Sequence, residues 1–315
     1  MEAYPAYKRA EESTYLTLPE WYEVFSYQEY GDHIGRERPS VFPHYEAIGQ
    51  FWSVYCHAYG ESAGYPFNGG NHLVIGVIGV SFTVEYLVKG TYESTYGALT
   101  EFDSRTTSED AYAAVTAQDF AHFVETEPWY AYPFGDRALG VWTENGLFGP
   151  DMVRKTERKV VLTSEYAVKA VYAGLIRAAT QSVFGAPPAE DYLWVDNATV
   201  ELLARPDVRI AEQVNDTSFV IMVPHYQRFT ELVPELARDG VGFVDIAGNE
   251  RIALTVLAPR GSAYPDSLAE EFLRHEALTN PSMERIFLLC PIAELDELVL
   301  ELDRRGHRIE HLFDY

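Results

Sequence analysis

The feature that most constrains this 315-residue chain is a change of pattern across "GAPPAED", residues 185–191. Upstream, apolar residues recur at the three- and four-residue spacing of amphipathic helices; downstream they fall into short runs of strand length. The glycine stops the helical pattern and the two prolines forbid helix, which predicts a domain boundary there. The expected layout is an α+β chain with an all-helical, aromatic-rich bundle at 1–189 and a ferredoxin-like domain, βαβ-hairpin-βαβ, at 190–315.

In the first part, "PEWYEVFSYQEYGDHI" and "PHYEAIGQFWSVYCHAY" each predict a helix opening on a proline, at Pro19 and Pro43. Further helices are expected over 71–101, over 108–125 with Ser108 as N-cap, and over 151–183. "EPWYAYPFG" reads as an aromatic loop. The apolar stretch "LVIGVIGVSFTV", residues 73–84, is too short for a bilayer span of about 20 residues and predicts a buried core helix.

In the second part, "SFVIMVP" and "RIFLLCP" predict central strands, each followed by a helix ending in "ELARDG" or "ELDRRG". Residues 241–259 predict two strands joined by a Gly-Asn turn, and a helix is expected near 266–277. Strands apolar on both faces require a covering partner, so an interface with the helical domain or a second copy is expected.

One phrase is written twice. "TVEYLVKGTY" at 83–92 returns as "TSEYAVKAVY" at 163–172, with six identities in ten positions. A match of that size arises about once by chance in a chain this long, which makes it weak evidence of duplication. Its chemistry is more specific. Glu85 and Lys89, and likewise Glu165 and Lys169, lie four residues apart with the acid first, the favourable order for an intrahelical ion pair, and Tyr92 and Tyr172 share their faces. Were the two helices to pack together, Glu85, Lys89, Tyr92, Glu165, Lys169 and Tyr172 would form a low-dielectric cluster able to serve proton transfer or ligand binding. The alternative is a pair of purely structural helices.

The formal charge is -24, and only five of 24 basic residues are lysines. Such a field repels phosphate backbones and argues against nucleic acid as a partner. Against it stands one basic cluster, Arg154, Lys155, Arg158 and Lys159, which suggests docking to a protein or an anionic membrane surface. Cys56 and Cys290 have no metal-ligand spacing and adjacency does not make Cys56 and His57 a dyad, so no metal or other cofactor is called for. The one His-acid pair at helical spacing, Asp119 with His122, has no second copy to complete a di-metal bundle with Glu46, Glu85 and Glu165. His225, His307 and His311 fall near strand ends, where small ligands can bind. The N-terminus lacks the apolar core of a signal peptide, which suits a cytoplasmic location, with membrane association as the alternative.

"ESTYLTLPEWYEVFSYQEY", "IGVSFTVEYLVKGTYESTYG", "RKTERKVVLTSEYAVKAVYAGLI" and the terminal "EHLFDY" resemble a group of uncharacterised bacterial proteins. That resemblance implies no catalytic or binding residue. Members often carry a hydrophobic anchor ahead of the "LTLPEW" region, which this sequence lacks. The reading that follows is a non-enzymatic binding or scaffold protein that associates with a protein partner, with itself or with a membrane surface. The rival is an enzyme or hydrophobic-ligand binder centred on the Glu-Lys-Tyr cluster.

Overall fold

The computed structural model describes residues 11–67, 69–100, 107–146, 148–183 and 190–313. By their internal contacts they fall into two compact units: Trp21–Phe51 with Gly79–Pro187, and Met1–Glu20 with Trp52–Ile78 and Pro188–Tyr315. Helices come first and two antiparallel four-stranded sheets follow, an α+β layout.

The helices are α1 (Glu11–Ile34), α2 (His44–Glu61), α3 (Gly69–Tyr92), α4 (Ala98–Thr100), α5 (Ser108–Val124), α6 (Phe134–Thr143) and α7 (Met152–Val183). α1 runs through Pro19 instead of starting there. α5 is capped by Thr107, one residue ahead of the expected Ser108: the Thr107 side chain accepts from the Asp110 backbone N–H while the Asp110 carboxylate accepts from the Thr107 N–H. The expected aromatic loop contains a short 3₁₀ turn, Trp129–Ala131, and its last residues open α6.

The helical part is a duplication. Ile34, Pro39 and His44 mark a helix end, a 3₁₀ turn and a helix start, and Val124, Trp129 and Phe134 repeat those events at the same spacing. The packing repeats with them. The Tyr30 ring lies 5.0 Å from Phe42 edge to face, and its counterpart Phe120 lies 5.0 Å from Tyr132 in the same manner. Ser26 bonds Tyr86 at 3.0 Å, and Thr116 bonds Tyr166. With the shift reduced from 90 to 80 residues after the second helix of each copy, α3 corresponds to α7, and the twice-written phrase lies at matching places in the repeat. Matches of turn geometry and ring packing accompany the phrase and favour duplication over chance as its origin.

The sheet-bearing unit is also built twice. β1 (Glu190–Asp196), β2 (Arg209–Gln213), β3 (Phe219–Pro224), α8 (Gln227–Arg238) and β4 (Gly242–Ile246) form one module. β5 (Arg251–Pro259), β6 (Glu270–Glu276), β7 (Met283–Pro291), α9 (Leu295–Arg305) and β8 (Arg308–Leu312) form the other. The sheet orders are β2-β3-β1-β4 and β6-β7-β5-β8, each the strand order of a ferredoxin-like sandwich. The ladders break register at matching places, between Trp194 and Val195 in one and between Thr255 and Val256 in the other.

The ferredoxin-like order therefore occurs twice, in two sheets, where the sequence suggested one βαβ-hairpin-βαβ domain. β5 is nine residues long and almost wholly buried, so it needs a neighbour on each side and finds them in β7 and β8. The turn after β4 carries Ala247 and Gly248 at φ 51° and 82°. It hands the chain from one sheet to the next, leaving a single Ile246–Asn249 bridge where a hairpin was expected. Residues 270–276, expected as helix, pair with β7; its ladder partners override a weak helical propensity.

α8 contributes Phe229, Leu232, Val233 and Leu236, and α9 contributes Leu295, Leu298, Val299 and Leu302, to one core shared by both sheets. The outer face of the second sheet, with Ala253, Thr255, Phe287 and Leu289, is buried as well. α9 ends on Gly306 at φ 69°, a left-handed cap that an L side chain adopts at a cost. Gly306→Ala is expected to lower stability by about 1 kcal/mol in chemical denaturation, with an unchanged denaturant slope.

Candidate functional site

α3 and α7 run antiparallel. Glu85 and Lys89 on α3 and Glu93 just after it meet Lys169, Glu165 and Arg158, positions that run backwards along α7. Glu85 and Glu165 therefore face each other, joined by two ammonium groups. Lys89 Nζ lies 3.3 Å from Glu85 and 3.0 Å from Glu165; Lys169 Nζ lies 2.8 Å from Glu85 and 3.4 Å from Glu165. The result is a closed ring of alternating charge whose side chains are 10–17% exposed.

Two residues from α1 that the sequence reading passed over complete the ring. Tyr27 donates its hydroxyl to Glu85 Oε2 at 2.6 Å, and the Tyr30 ring sits 4.3 Å below Lys89 Nζ. Phe120, the counterpart of Tyr30, lies 5.6 Å from Lys169 Nζ. Their spacing of three residues on α1 was legible, but nothing in it indicated which charge they would meet.

This geometry shifts the ionisation of Lys89, Glu165 and Tyr27. Burial disfavours the Lys89 ammonium, but Glu165, Tyr30 and Glu85 more than offset it and raise its pKa well above the ordinary value. Burial likewise pushes Glu165 up, yet Lys89 and Lys169 pull it down to about 2. Burial and the adjacent Glu85 carboxylate raise the Tyr27 hydroxyl far out of the neutral range. A general acid or base needs a pKa near the working pH, and these three groups are held away from it.

Beside the ring is a cavity of about 20 Å³, bordered by Tyr27, Tyr30, Thr116, Phe120 and Lys169. Ala117 and Leu162, which also line it, stand where the first copy carries the larger Tyr27 and Phe82. That space suits one water molecule and is far below the several hundred Å³ of a ligand pocket. Tyr92 and Tyr172 lie elsewhere: Tyr92 donates to Glu157, and Tyr172 stacks on Trp129 at 5.2 Å.

The basic cluster faces inward, contrary to the docking reading. Arg154, Arg158 and Lys159 are buried, and of the four only Lys155 is partly exposed. Arg158 reaches Glu93 at 2.5 Å and Asp110 at 2.7 Å. Lys159 satisfies its three donors with Glu109 at 3.0 Å and the Val141 and Asn145 carbonyls, each at 2.9 Å. Arg154 binds the Gly97 carbonyl and Thr100, 3.2 and 3.1 Å away. A wide π-helical turn, Glu93–Gly97, and the first turn of α5 bring these acceptors to α7. Glu109 and Asp110 look like ordinary helix-dipole acids in the sequence, so their second task was invisible there.

The remaining candidates do not converge. Asp119 binds Tyr132 and Arg137, while His122 is exposed beside Glu125. Cys56 is exposed and Cys290 is buried. His225 Nδ1 lies 2.5 Å from Asp191 Oδ2, both buried, ahead of Tyr226 at φ 64°. His311 Nδ1 lies 2.9 Å from the Thr230 hydroxyl. Among the described residues no group of three His, Cys, Asp or Glu side chains could hold a metal ion.

α3 departs most from expectation. In its 18-residue window of mean hydropathy 1.6 only 33% is buried, and of the "LVIGVIGVSFTV" stretch one face, with Ile75, Ile78 and Phe82, enters the core while Leu73, Val74, Val77, Val80 and Val84 are exposed. Among the described residues, the helix through Gly69–Thr100 is long and apolar enough to cross a membrane by length and composition alone. On the side away from Tyr27 and Tyr30, Val80, Val84, Leu87 and Val88 are about half or more exposed. Their α7 counterparts Val160 and Val168 are 54% and 69% exposed, matching Val80 and Val88 at 56% and 64%. Because a two-fold relation between antiparallel helices has its axis perpendicular to both, these residues share one surface. No protein-family model matches this chain, and no curated protein or solved structure matches it either.

Proposed function

We propose that this is a non-enzymatic binding protein that docks through the uncharged outer face of α3 and α7. One observation carries the reading: two helices clamped side by side by a neutral four-charge ring keep exposed aliphatic residues at three matching positions, Val80 with Val160, Leu87 with Ala167 and Val88 with Val168, while Ser164 stands where α3 has Val84. A contiguous apolar surface of that kind is costly in water unless something covers it. The ring then serves as a clamp that sets the helix spacing of the docking face, and the shifts of Lys89 and Glu165 away from the neutral range, with the small cavity, disfavour the rival reading of a catalytic or ligand-binding centre.

An environment-sensitive dye tests the reading. It is attached to a cysteine introduced at Val84 or Val168, with Cys56 replaced by serine, and as a control at Val115, an exposed position on α5. The two face positions are expected to shift to the blue with protein concentration, with the soluble fraction of a bacterial extract, or with its membranes, while Val115 stays unchanged. No shift at either face position in any of the three conditions removes the docking function.

A further inference from the structure

Resting on that docking reading, we infer that the occupant of the α3–α7 face is the surface of an uncharged, zwitterionic lipid bilayer. Three features of the face select it. Its exposed positions are Val80, Val84, Leu87 and Val88 on α3 and Val160, Ala167, Val168 and Val171 on α7, with Thr91 and Ser164 as small uncharged polar members. Protein interfaces concentrate their binding energy in central Trp, Tyr and Arg anchors, and this face has none at its centre. Lipid has no pockets to fill and takes branched aliphatic side chains as they stand.

The amphipathic rings are at the margins. Tyr45, 52% exposed, borders α3 with its hydroxyl 3.1 Å from Thr91, and Trp142, 45% exposed, borders α7 with its indole N–H donating to Thr163 at 2.7 Å. Rings with one apolar and one polar side gather at the boundary between acyl chain and headgroup. The two margins are the lateral edges of a two-helix surface, so the face lies flat in the interface with its pseudo-two-fold axis along the bilayer normal.

Charge decides which lipid. The chain carries -24, while the four charges between α3 and α7 cancel within their own ring. Of the basic cluster Arg154, Lys155, Arg158 and Lys159, three are buried in ion pairs and turned away from any headgroup. An anionic surface would repel the chain as a whole, whereas a zwitterionic one imposes no such barrier.

The full-length protein is mixed with phosphatidylcholine vesicles and sedimented, and with vesicles in which phosphatidylglycerol replaces part of the phosphatidylcholine. Binding to phosphatidylcholine is expected, and added anionic lipid at low salt is expected to weaken it. Val84→Gln with Val168→Gln keeps both helices and all charges, since both sites are exposed, and is expected to reduce partitioning at least tenfold; Val115→Gln is expected to leave it unchanged. Absence of sedimentation with phosphatidylcholine, binding that grows with anionic lipid, or equal binding by the double variant overturns the lipid assignment. So does light scattering that finds a dimer which the double variant dissolves. The face-specific dye shift survives those results if a second copy or a soluble partner covers the face, which separates failure of the lipid assignment from failure of docking itself.

Discussion

Lys89→Met is expected to lower unfolding free energy by about 2–4 kcal/mol, because it leaves Glu85 and Glu165 facing each other across Lys169 alone in a largely dry site. The cost comes from the stranded carboxylates, not from the worth of the ring itself. Replacing all four members together, with Leu at 85 and 165 and Met at 89 and 169, is therefore expected to be close to neutral. Denaturant unfolding of the single and quadruple variants checks this; a quadruple variant as unstable as Lys89→Met would show that the ring contributes net stability. The pH dependence has a defined sign. Glu165 is lowered to about 2 in the folded chain, so its contribution is fully present above the ordinary carboxylate range and is lost as pH falls from about 4.5 toward 2. Glu165→Gln is expected to flatten that part of the acid unfolding curve.

Arg158→Met is expected to be more damaging still, about 3–5 kcal/mol, with loss of soluble protein as the extreme outcome. The Arg158 side chain is 1% exposed and holds two buried carboxylates, Glu93 at 1% and Asp110 at 4%. Its burial lowers its pKa, but Glu93 and Asp110 more than compensate, so the guanidinium stays charged. Arg158→Lys retains the charge but cannot span two carboxylates with a rigid fork, and is expected to recover only part of the loss. Lys155→Met, a change at a partly exposed neighbour, is expected to fall within about 0.5 kcal/mol of the parent. Equal stability of Arg158→Met and Lys155→Met in thermal unfolding would contradict the buried network.

These two results concern residues whose sequence context pointed in opposite directions. The Glu85–Lys89 and Glu165–Lys169 pairs were legible because an i, i+4 acid-base pair has a fixed meaning on a helix, and the helices were legible from periodicity. That the pairs close into a ring was not, because helix pairing is decided by packing between segments eighty residues apart. The basic cluster misled for the same reason: four cations in six residues look like a surface, and only the π-helical turn at Glu93 and the first turn of α5 turn three of them inward. The exposed face of α3 was misread because an uncharged run has the same composition whether it is buried or bare.

By itself the sequence determined what local chemistry can determine: helices before residue 185, strands and helices after it, the matched "FVIMVP" and "IFLLCP" strands, and two helices with identical Glu-Lys faces. The tertiary structure decided what depends on partners: that β5 belongs with β7 and β8 in a second sheet, that the twice-written phrase lies at matching places in a repeated helical unit, and that Glu85 and Glu165 meet while the valines of α3 and α7 stay bare. The physical reason is the same throughout. Spacing along one element fixes which residues share a face, whereas the charge, strand or solvent that the face meets is set by other parts of the chain.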